Sequence, residues 1–382
     1  MASSVKNIYI LGAGGSIGLQ TLELLDNNPD FNVVGLSLSS EDDINHTILS
    51  HFKPEICSLR TKEQLKTYPK MYPDIKFVYG DEGLIEVATY PKSGLLINAL
   101  SGSIGLKSTL KAIESGKDIG LANKETLVMA GPIIKELVMK HKVMLLPIDS
   151  EHYALWQLLS KVNRSDVYKI AITASGGALR DLDRRELDNI KISDALAHPN
   201  WQMGPKITID SATMVNKGLE VIEAHHLFSI PYENIETILH SESLVHAIIY
   251  LKDGTSIKSI SANDMKIPIS GVLYFPEESK YNPPITNLET LTFKPMDYIR
   301  YPMLHLAYEV GKLGGILPTI YNASNEAAVN LFLDGKISFR EIESIILKYT
   351  LSADNILNPT LEEILEVDTT IKQKIYNAYN KE

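Results

Sequence analysis

Asn7-Ile-Tyr-Ile-Leu11-Gly12-Ala-Gly14-Gly15-Ser16-Ile17-Gly18 reads as a short apolar strand entering a glycine turn, and Leu19 to Leu25 continue with helical character. Strand, glycine turn and helix in that order open a dinucleotide-binding fold. The glycines let the backbone turn tightly and approach a pyrophosphate at the helix N-terminus. The spacing is G-x-G-x-x-x-G rather than G-x-G-x-x-G, so taken alone it also fits a glycine turn without function.

The chain beyond this turn supports the nucleotide reading. Strand-like segments recur at Phe31–Leu38, Glu55–Leu59, Lys76–Val78, Leu95–Ala99, Ile119–Ala122 and Val143–Ile148, with helical stretches between them. That alternation predicts an α/β fold with a Rossmann-like parallel sheet. The second strand runs into Ser39-Ser40-Glu41, where a nicotinamide fold meets the adenosine ribose. Serines suit a 2′-phosphate and Glu41 suits a free 2′-hydroxyl; Asp42 and Asp43 also fit a plain acidic helix start. Gly102 and Gly105 form a second glycine turn, and Asn123-Lys124-Glu125 ends the next strand. Lys124 stands where open α/β sheets bind ligands, although a solvated lysine starting a helix has the same pattern.

Asp149-Ser150-Glu151 closes this region. In an extended chain Asp149 and Glu151 point the same way and repel, so a cation belongs between them. A divalent metal with hard oxygen ligands answers this, with Glu220 or Glu223 as the third ligand. The plainer alternative is that Asp149 or Ser150 caps a helix from His152 to Leu159.

Further on, Lys169–Thr173 delivers a small-residue turn at Ser175-Gly176-Gly177, suited to an oxyanion. Arg180 to Asn189 reads as a solvated segment. His198-Pro-Asn-Trp201-Gln-Met203-Gly204-Pro-Lys206 reads as a loop with an apolar face and a polar tip, suited to closing over a small ligand. Ser211, Thr213, Asn216 and Lys217 then supply donors at what reads as a helix start, the chemistry of a phosphate site. Glu220 and Glu223 share a face of that helix. A capped amphipathic surface helix is the competing reading. His240–Tyr250 and Thr255–Ile260 alternate like strands, and four helical stretches come after them: Leu304–Lys312, Asn322–Asp334, Ser338–Tyr349 and Thr360–Tyr379. The expected divisions are a dinucleotide-binding domain over 1–148 and an α+β catalytic and dimerisation domain over 149–276, with a flap at 198–206. A linker over 277–302 and a C-terminal helical bundle over 303–382 complete the chain.

The 382 residues carry a net charge of −10, which argues against nucleic acid or an anionic membrane as a partner. Cys57 is the only cysteine, so neither an intrachain disulfide nor a cysteine zinc site is available. The start of the chain lacks a signal-peptide pattern and no apolar run reaches spanning length, so a cytosolic setting is expected.

Asp149-Ser-Glu151, Ser175-Gly-Gly177, His198-Pro-Asn-Trp201 and Asp210-Ser-Ala-Thr-Met-Val-Asn-Lys-Gly-Leu-Glu220 together resemble the 1-deoxy-D-xylulose 5-phosphate reductoisomerases, from about Ile8 to near the C-terminus. The resemblance implies a V-shaped homodimer that rearranges a sugar phosphate and reduces it to 2-C-methyl-D-erythritol 4-phosphate, on the methylerythritol phosphate route to isoprenoids. It implies NADPH, with NADH as an alternative, and magnesium or manganese, with cobalt as an alternative. By matching motif, Asp149, Glu151 and Glu220 are metal ligands, and Glu223 matches a further carboxylate ranked below them. Lys124, Glu151 and His198 carry catalysis. Ser150, Glu151, Ser175, His198, Trp201, Ser211, Asn216, Lys217 and Glu220 contact substrate. Gly12, Gly14, Gly15, Ser16, Ile17, Ser39, Ser40, Gly102, Asn123, Glu125, Met203 and Gly204 border the cofactor.

Three departures stand out. A family threonine is Gly14. The family's Gly-Lys-Asn after the second strand is Ser39-Ser40-Glu41, which loses a cation, adds an anion and predicts a weakened NADPH preference. A family His-Pro is His240-Ser241. A metal-independent dehydrogenase and a catalytically silent nucleotide sensor are the rival readings; neither would need Asp149, Glu151 and Glu220.

Overall fold

A computed structural model of the chain describes residues 5–39, 41–286 and 290–379; Ser40 lies outside the described residues. The chain divides into two compact units. The first comprises Met1–Thr126, Pro132–Tyr153 and Asp264–Pro283, and the second Leu127–Gly131, Ala154–Asn263 and Pro284–Glu382.

The first unit is built on β1 (Lys6–Leu11), β2 (Phe31–Ser37), β3 (Ile56–Leu59), β4 (Lys76–Tyr79), β5 (Leu95–Asn98), β6 (Asp118–Leu121) and β7 (Leu145–Pro147). They form one seven-stranded sheet in the order β4-β3-β2-β1-β5-β6-β7. Every pairing is parallel. Parallel strands covered on both faces need continuous apolar runs, and Ile8, Ile10, Leu11, Val34, Leu36, Leu96 and Ile97 are all fully buried. The strand order reverses between β1 and β5, and in such sheets the ligand crevice lies beyond the carboxyl ends at that point. This is the expected α/β, Rossmann-like architecture.

The second unit holds a mixed five-stranded sheet of β8 (Val167–Ala174), β9 (Ile235–Leu239), β10 (Val245–Leu251), β11 (Ser256–Ile260) and β12 (Lys294–Pro295), ordered β11-β10-β8-β9-β12. Two differences from the sequence reading appear here. β9, which pairs parallel with β8, has no counterpart among the expected strands. The strand read from His240 starts only at Val245, because the His240 ring organises a turn. Its Nε2 accepts from the backbone N–H groups of Leu244 (3.1 Å) and Val245 (3.0 Å), and Ser243 takes a φ of 57°.

Four C-terminal helices complete the unit, Pro302–Leu313, Leu317–Leu333, Phe339–Leu351 and Leu361–Tyr379, and the second of them packs against the other three. Its buried face includes Tyr321, Ala327, Ala328 and Leu331, and Ser338 with Glu341 forms a capping box on the third. Arg180–Asn189 is not a freely solvated segment. Leu187 is fully buried and Arg184 pairs with Glu343 of the third helix. Among the described residues no helix is long and apolar enough to cross a membrane.

Candidate functional site

The carboxyl edge of the first sheet is built by close backbone approach. Gly12 has φ 86°, and a Cβ there would sit 2.7 Å from the Ala99 carbonyl oxygen; a Cβ on Gly18 would sit 2.2 Å from the Gly12 oxygen. Both positions therefore require glycine. The Gly12 N–H donates to Ser37 Oγ at 2.7 Å, which ties the turn to the end of β2. Gly14 is different: a Cβ would meet Ser39 Oγ at an ordinary 3.5 Å, so close approach does not demand glycine there. Ser39 thus lies over the turn that carries Gly15, Ser16 and Ile17, while Glu41 is exposed and precedes the helix Asp42–Phe52.

One strand further, a buried polar network shapes the second glycine turn. Asn123 Nδ2 donates to the carbonyl oxygens of Leu100 and Gly102, both at 2.9 Å, and to Glu125 Oε2 at 3.0 Å. Glu125 Oε1 accepts from the Gly102 N–H at 3.1 Å. With hydrogen bonds on all these groups, the loop after β5 is held rigid in a low-dielectric setting.

The chain does not stay extended after β7. The helix Ser150–Leu159 begins at once, so Asp149 and Glu151 are not aligned by strand alternation. Asp149 caps that helix: Oδ1 accepts from the Glu151 N–H at 3.1 Å and the His152 N–H at 3.4 Å. The same carboxylate takes the Lys124 ammonium at 2.8 Å on Oδ2 and lies 2.8 Å from His152 Nδ1. Ser150 Oγ donates to Glu151 Oε2 at 2.5 Å. The Asp149 and Lys124 side chains are only 9% and 7% exposed, a depth at which charges persist only in company.

In the second unit, the run from Pro205 is two helices rather than one. Pro205–Thr213 ends at Met214, whose φ of 63° is left-handed, and Val215–Phe228 starts immediately. Ser211 therefore sits in the last turn of the first helix, not at a helix start. Asn216 and Lys217 open the second helix, and both bond the Glu220 carboxylate one turn later. That helix is no surface element: Lys217, Glu220 and Glu223 are 4%, 2% and 0% exposed. Asp210 is buried too, held by Lys206 Nζ (2.7 Å) and Asn325 Nδ2 (2.8 Å).

His198 faces the Ser175 turn. Its Nδ1 accepts from the N–H groups of Asn200 (3.2 Å) and Trp201 (3.1 Å), so the neutral ring carries its proton on Nε2 and donates to Ser175 Oγ at 3.1 Å. Burial, with Arg180 nearby, pushes the imidazole down to about 4, which keeps it neutral at pH 7. The Gly177 N–H also donates to Ser175 Oγ, at 3.2 Å. The Trp201 ring meets His246 edge-on at 6.4 Å, and Met203 and Gly204 complete the loop before Pro205.

Three residues here have no role in the sequence reading. Arg180 donates to the carbonyl oxygens of Ser175 (3.3 Å) and Ser241 (3.0 Å), and Asn200 Nδ2 reaches the same Ser241 oxygen at 2.6 Å. His152 is completely buried against Asp149. Asn200 lies within the His198–Trp201 motif, but its partner, like those of Arg180 and His152, is fixed only by the fold.

Comparison with known proteins agrees along the whole chain. Family models described as 1-deoxy-D-xylulose 5-phosphate reductoisomerase, its C-terminal domain, and the DXP reductoisomerase C-terminal domain match residues 8–131, 145–228 and 260–374. A 1-deoxy-D-xylulose 5-phosphate reductoisomerase of Bacillus cereus (strain ATCC 10987 / NRS 248) is 45% identical over 374 residues, covering 97% of this chain and 98% of that one. One from Macrococcus caseolyticus (strain JCSC5402) is 44% identical, with 98% and 100% covered. Among solved structures, a DOX-P reductoisomerase in complex with NADPH, fosmidomycin and magnesium superposes with a TM-score of 0.91 at 35% identity, covering 98% of both chains. The Zymomonas mobilis enzyme in complex with NADPH gives 0.89 at 34% identity, covering 99% of this chain and 100% of that one. With relatives this similar over nearly its full length, the chain belongs to the 1-deoxy-D-xylulose 5-phosphate reductoisomerase family.

Proposed function

We propose that this protein converts 1-deoxy-D-xylulose 5-phosphate to 2-C-methyl-D-erythritol 4-phosphate by metal-dependent rearrangement and NADPH-dependent reduction, on the route to isoprenoid precursors. The observation that carries the reading is the Asp149 carboxylate at the end of β7, joined to Lys124 and followed by Glu151, in a chain of this family. The residues fit both groups. Gly12 and Gly18 hold the turn after β1 in the tight backbone course that a dinucleotide pyrophosphate needs, and the carboxylates are hard oxygen donors suited to magnesium or manganese.

In this reading Asp149, Glu151 and Glu220 hold the cation, which supplies Lewis acidity for the carbonyl and neighbouring hydroxyl of the substrate. The nicotinamide supplies the hydride. Gly12, Gly14, Gly15, Ser16, Ile17 and Ser39, with Gly102, Asn123 and Glu125, border the cofactor, as do Met203 and Gly204. Ser40 belongs to the same set, outside the described residues. Lys124 lies beside the reacting carbons, and its ammonium also neutralises Asp149. Ser150 contacts a substrate oxygen.

Ser175, Ser211, Asn216 and Lys217 bind the phosphate. Because Ser175 Oγ already accepts from His198 and Gly177, its own hydrogen is left to point to an external acceptor, which suits a phosphate oxygen. His198, Trp201 and Met203 close over the substrate and exclude water. As functional divisions we take 1–148 for the cofactor, 149–276 for catalysis and dimerisation, 277–302 as linker and 303–382 as the helical part, although Asp264–Pro283 packs with the first unit. A homodimer and a cytosolic setting complete the proposal. The exposed outer strand β11 supports the first, and the single, buried Cys57 the second.

One assay tests the reading. Purified protein, the deoxyxylulose phosphate, Mg²⁺ or Mn²⁺ and NADPH should yield the methylerythritol phosphate with one NADPH consumed per product. Metal-independent turnover would favour the dehydrogenase rival, and NADPH binding without turnover the silent sensor.

A further inference from the structure

We propose that Arg60, at the end of β3, supplies the positive charge that recognises the 2′-phosphate of the cofactor. The inference rests on the NADPH reading and concerns how this chain achieves it. The segment from Ser37 to His46 contains no Lys or Arg, and it carries Glu41, Asp42 and Asp43. A phosphate dianion beside these carboxylates needs a counter-charge from another element.

The ribose end of the site is nonetheless firmly built. Asp42 Oδ1 accepts from Tyr68 Oη at 2.6 Å and Gln64 Nε2 at 3.3 Å. The Ser39 carbonyl accepts from Asn45 Nδ2 at 2.8 Å and from the same Gln64 nitrogen at 3.3 Å. The Gln64 side chain thus bridges the loop after β2 to the loop after β3, and its Oε1 accepts from the Thr61 N–H at 3.1 Å. Arg60 stands at the start of that second loop.

Its placement follows from register. β2 and β3 run parallel with Ser37 opposite Ser58, and the Leu38 N–H donates to the Ser58 carbonyl at 2.9 Å. Arg60 therefore leaves the sheet at the same edge as Ser39, one strand over. That lateral spacing is about 4.8 Å, well within the reach of an arginine side chain. Arg60 is exposed, and no hydrogen bond or ion pair among the described residues engages it. Its planar guanidinium suits two-pronged phosphate recognition better than an ammonium would. The charge lost after β2 is replaced from β3.

Direct binding of NADPH, NADH and 2′,5′-ADP, titrated without substrate to wild type, Arg60→Ala and Arg60→Lys, tests this. The alanine variant should weaken NADPH and 2′,5′-ADP at least tenfold and NADH less than twofold, with the lysine variant between it and wild type. Equal weakening of NADPH and NADH, or no change in either, overturns the role of Arg60 while leaving the cofactor reading intact. A wild-type chain that binds NADPH no more tightly than NADH overturns both.

Discussion

Asp149 serves three partners at once: the backbone of the helix it caps, the Lys124 ammonium and the His152 ring. Capping uses Oδ1 and Lys124 uses Oδ2, so the cap does not by itself argue against the ligand role proposed for this residue. Glu220 carries a sharper expectation. Glu220→Gln keeps the shape but removes a charge and turns one of the two oxygens that accept from Asn216 and Lys217 into a donor, so kcat should fall by roughly 100-fold or more with NADPH affinity within twofold. Near-normal turnover would remove Glu220 from the metal shell. His198 gives a pH prediction. Its folded pKa of about 4 lies below the free value of 6.5, so in that window the unfolded chain binds a proton that the folded chain does not. Its contribution leaves stability unaffected above pH 6.5 and lowers it progressively as pH falls toward 4. Urea midpoints for His198→Gln should accordingly decline less over this range than wild type; parallel curves would show that the ring does not resist protonation.

At the scale of elements, the glycine turn and the paired helices do different work. A Cβ on Gly18 would meet the Gly12 oxygen and Ala13 Cα at 2.2 and 2.6 Å, and backbone cannot step aside as a side chain can. Gly18→Ala should cost at least about 2 kcal/mol and abolish NADPH binding, read by thermal unfolding and titration. Asp210 anchors Pro205–Thr213 to Leu317–Leu333 through Asn325, so the first of the paired helices is fixed from outside rather than by its own pattern. The left-handed Met214 is the reason the donor cluster reads as a single helix start in the sequence. A φ of 63° breaks the helix at a methionine, a residue type that gives no warning of it. Likewise β9, Ile235–Leu239, is defined by its parallel pairing with β8, a contact between segments distant in the chain.

For the whole molecule, the proposed chemistry and assembly each have a measurable consequence. EDTA should abolish turnover, and Mg²⁺ or Mn²⁺ restore it, with NADPH affinity unchanged throughout; residual EDTA-resistant activity would return the metal-independent dehydrogenase to contention. Ile257 and Ile260 are 38% and 40% exposed on the outer strand β11. If that edge meets a second copy, the double substitution Ile257→Lys, Ile260→Lys should yield monomers by light scattering, while wild type runs as a dimer.

Local pattern marked the wound parallel sheet, the glycine turn and the C-terminal helices, and four longer motifs carried the resemblance to the family. Buried parallel strands must be continuously apolar, tight turns must be glycine, and long helices repeat their pattern over many residues; each constraint acts between near neighbours in the chain. Folding in three dimensions decided everything that depends on distant segments meeting. It ended one helix at Met214 and started another, paired Arg184 with Glu343, set Arg180 and Asn200 on one Ser241 carbonyl, and placed His152 behind Asp149. Those contacts join residues whose types are ordinary where they stand. Only the folded geometry supplies the partners that give them a role.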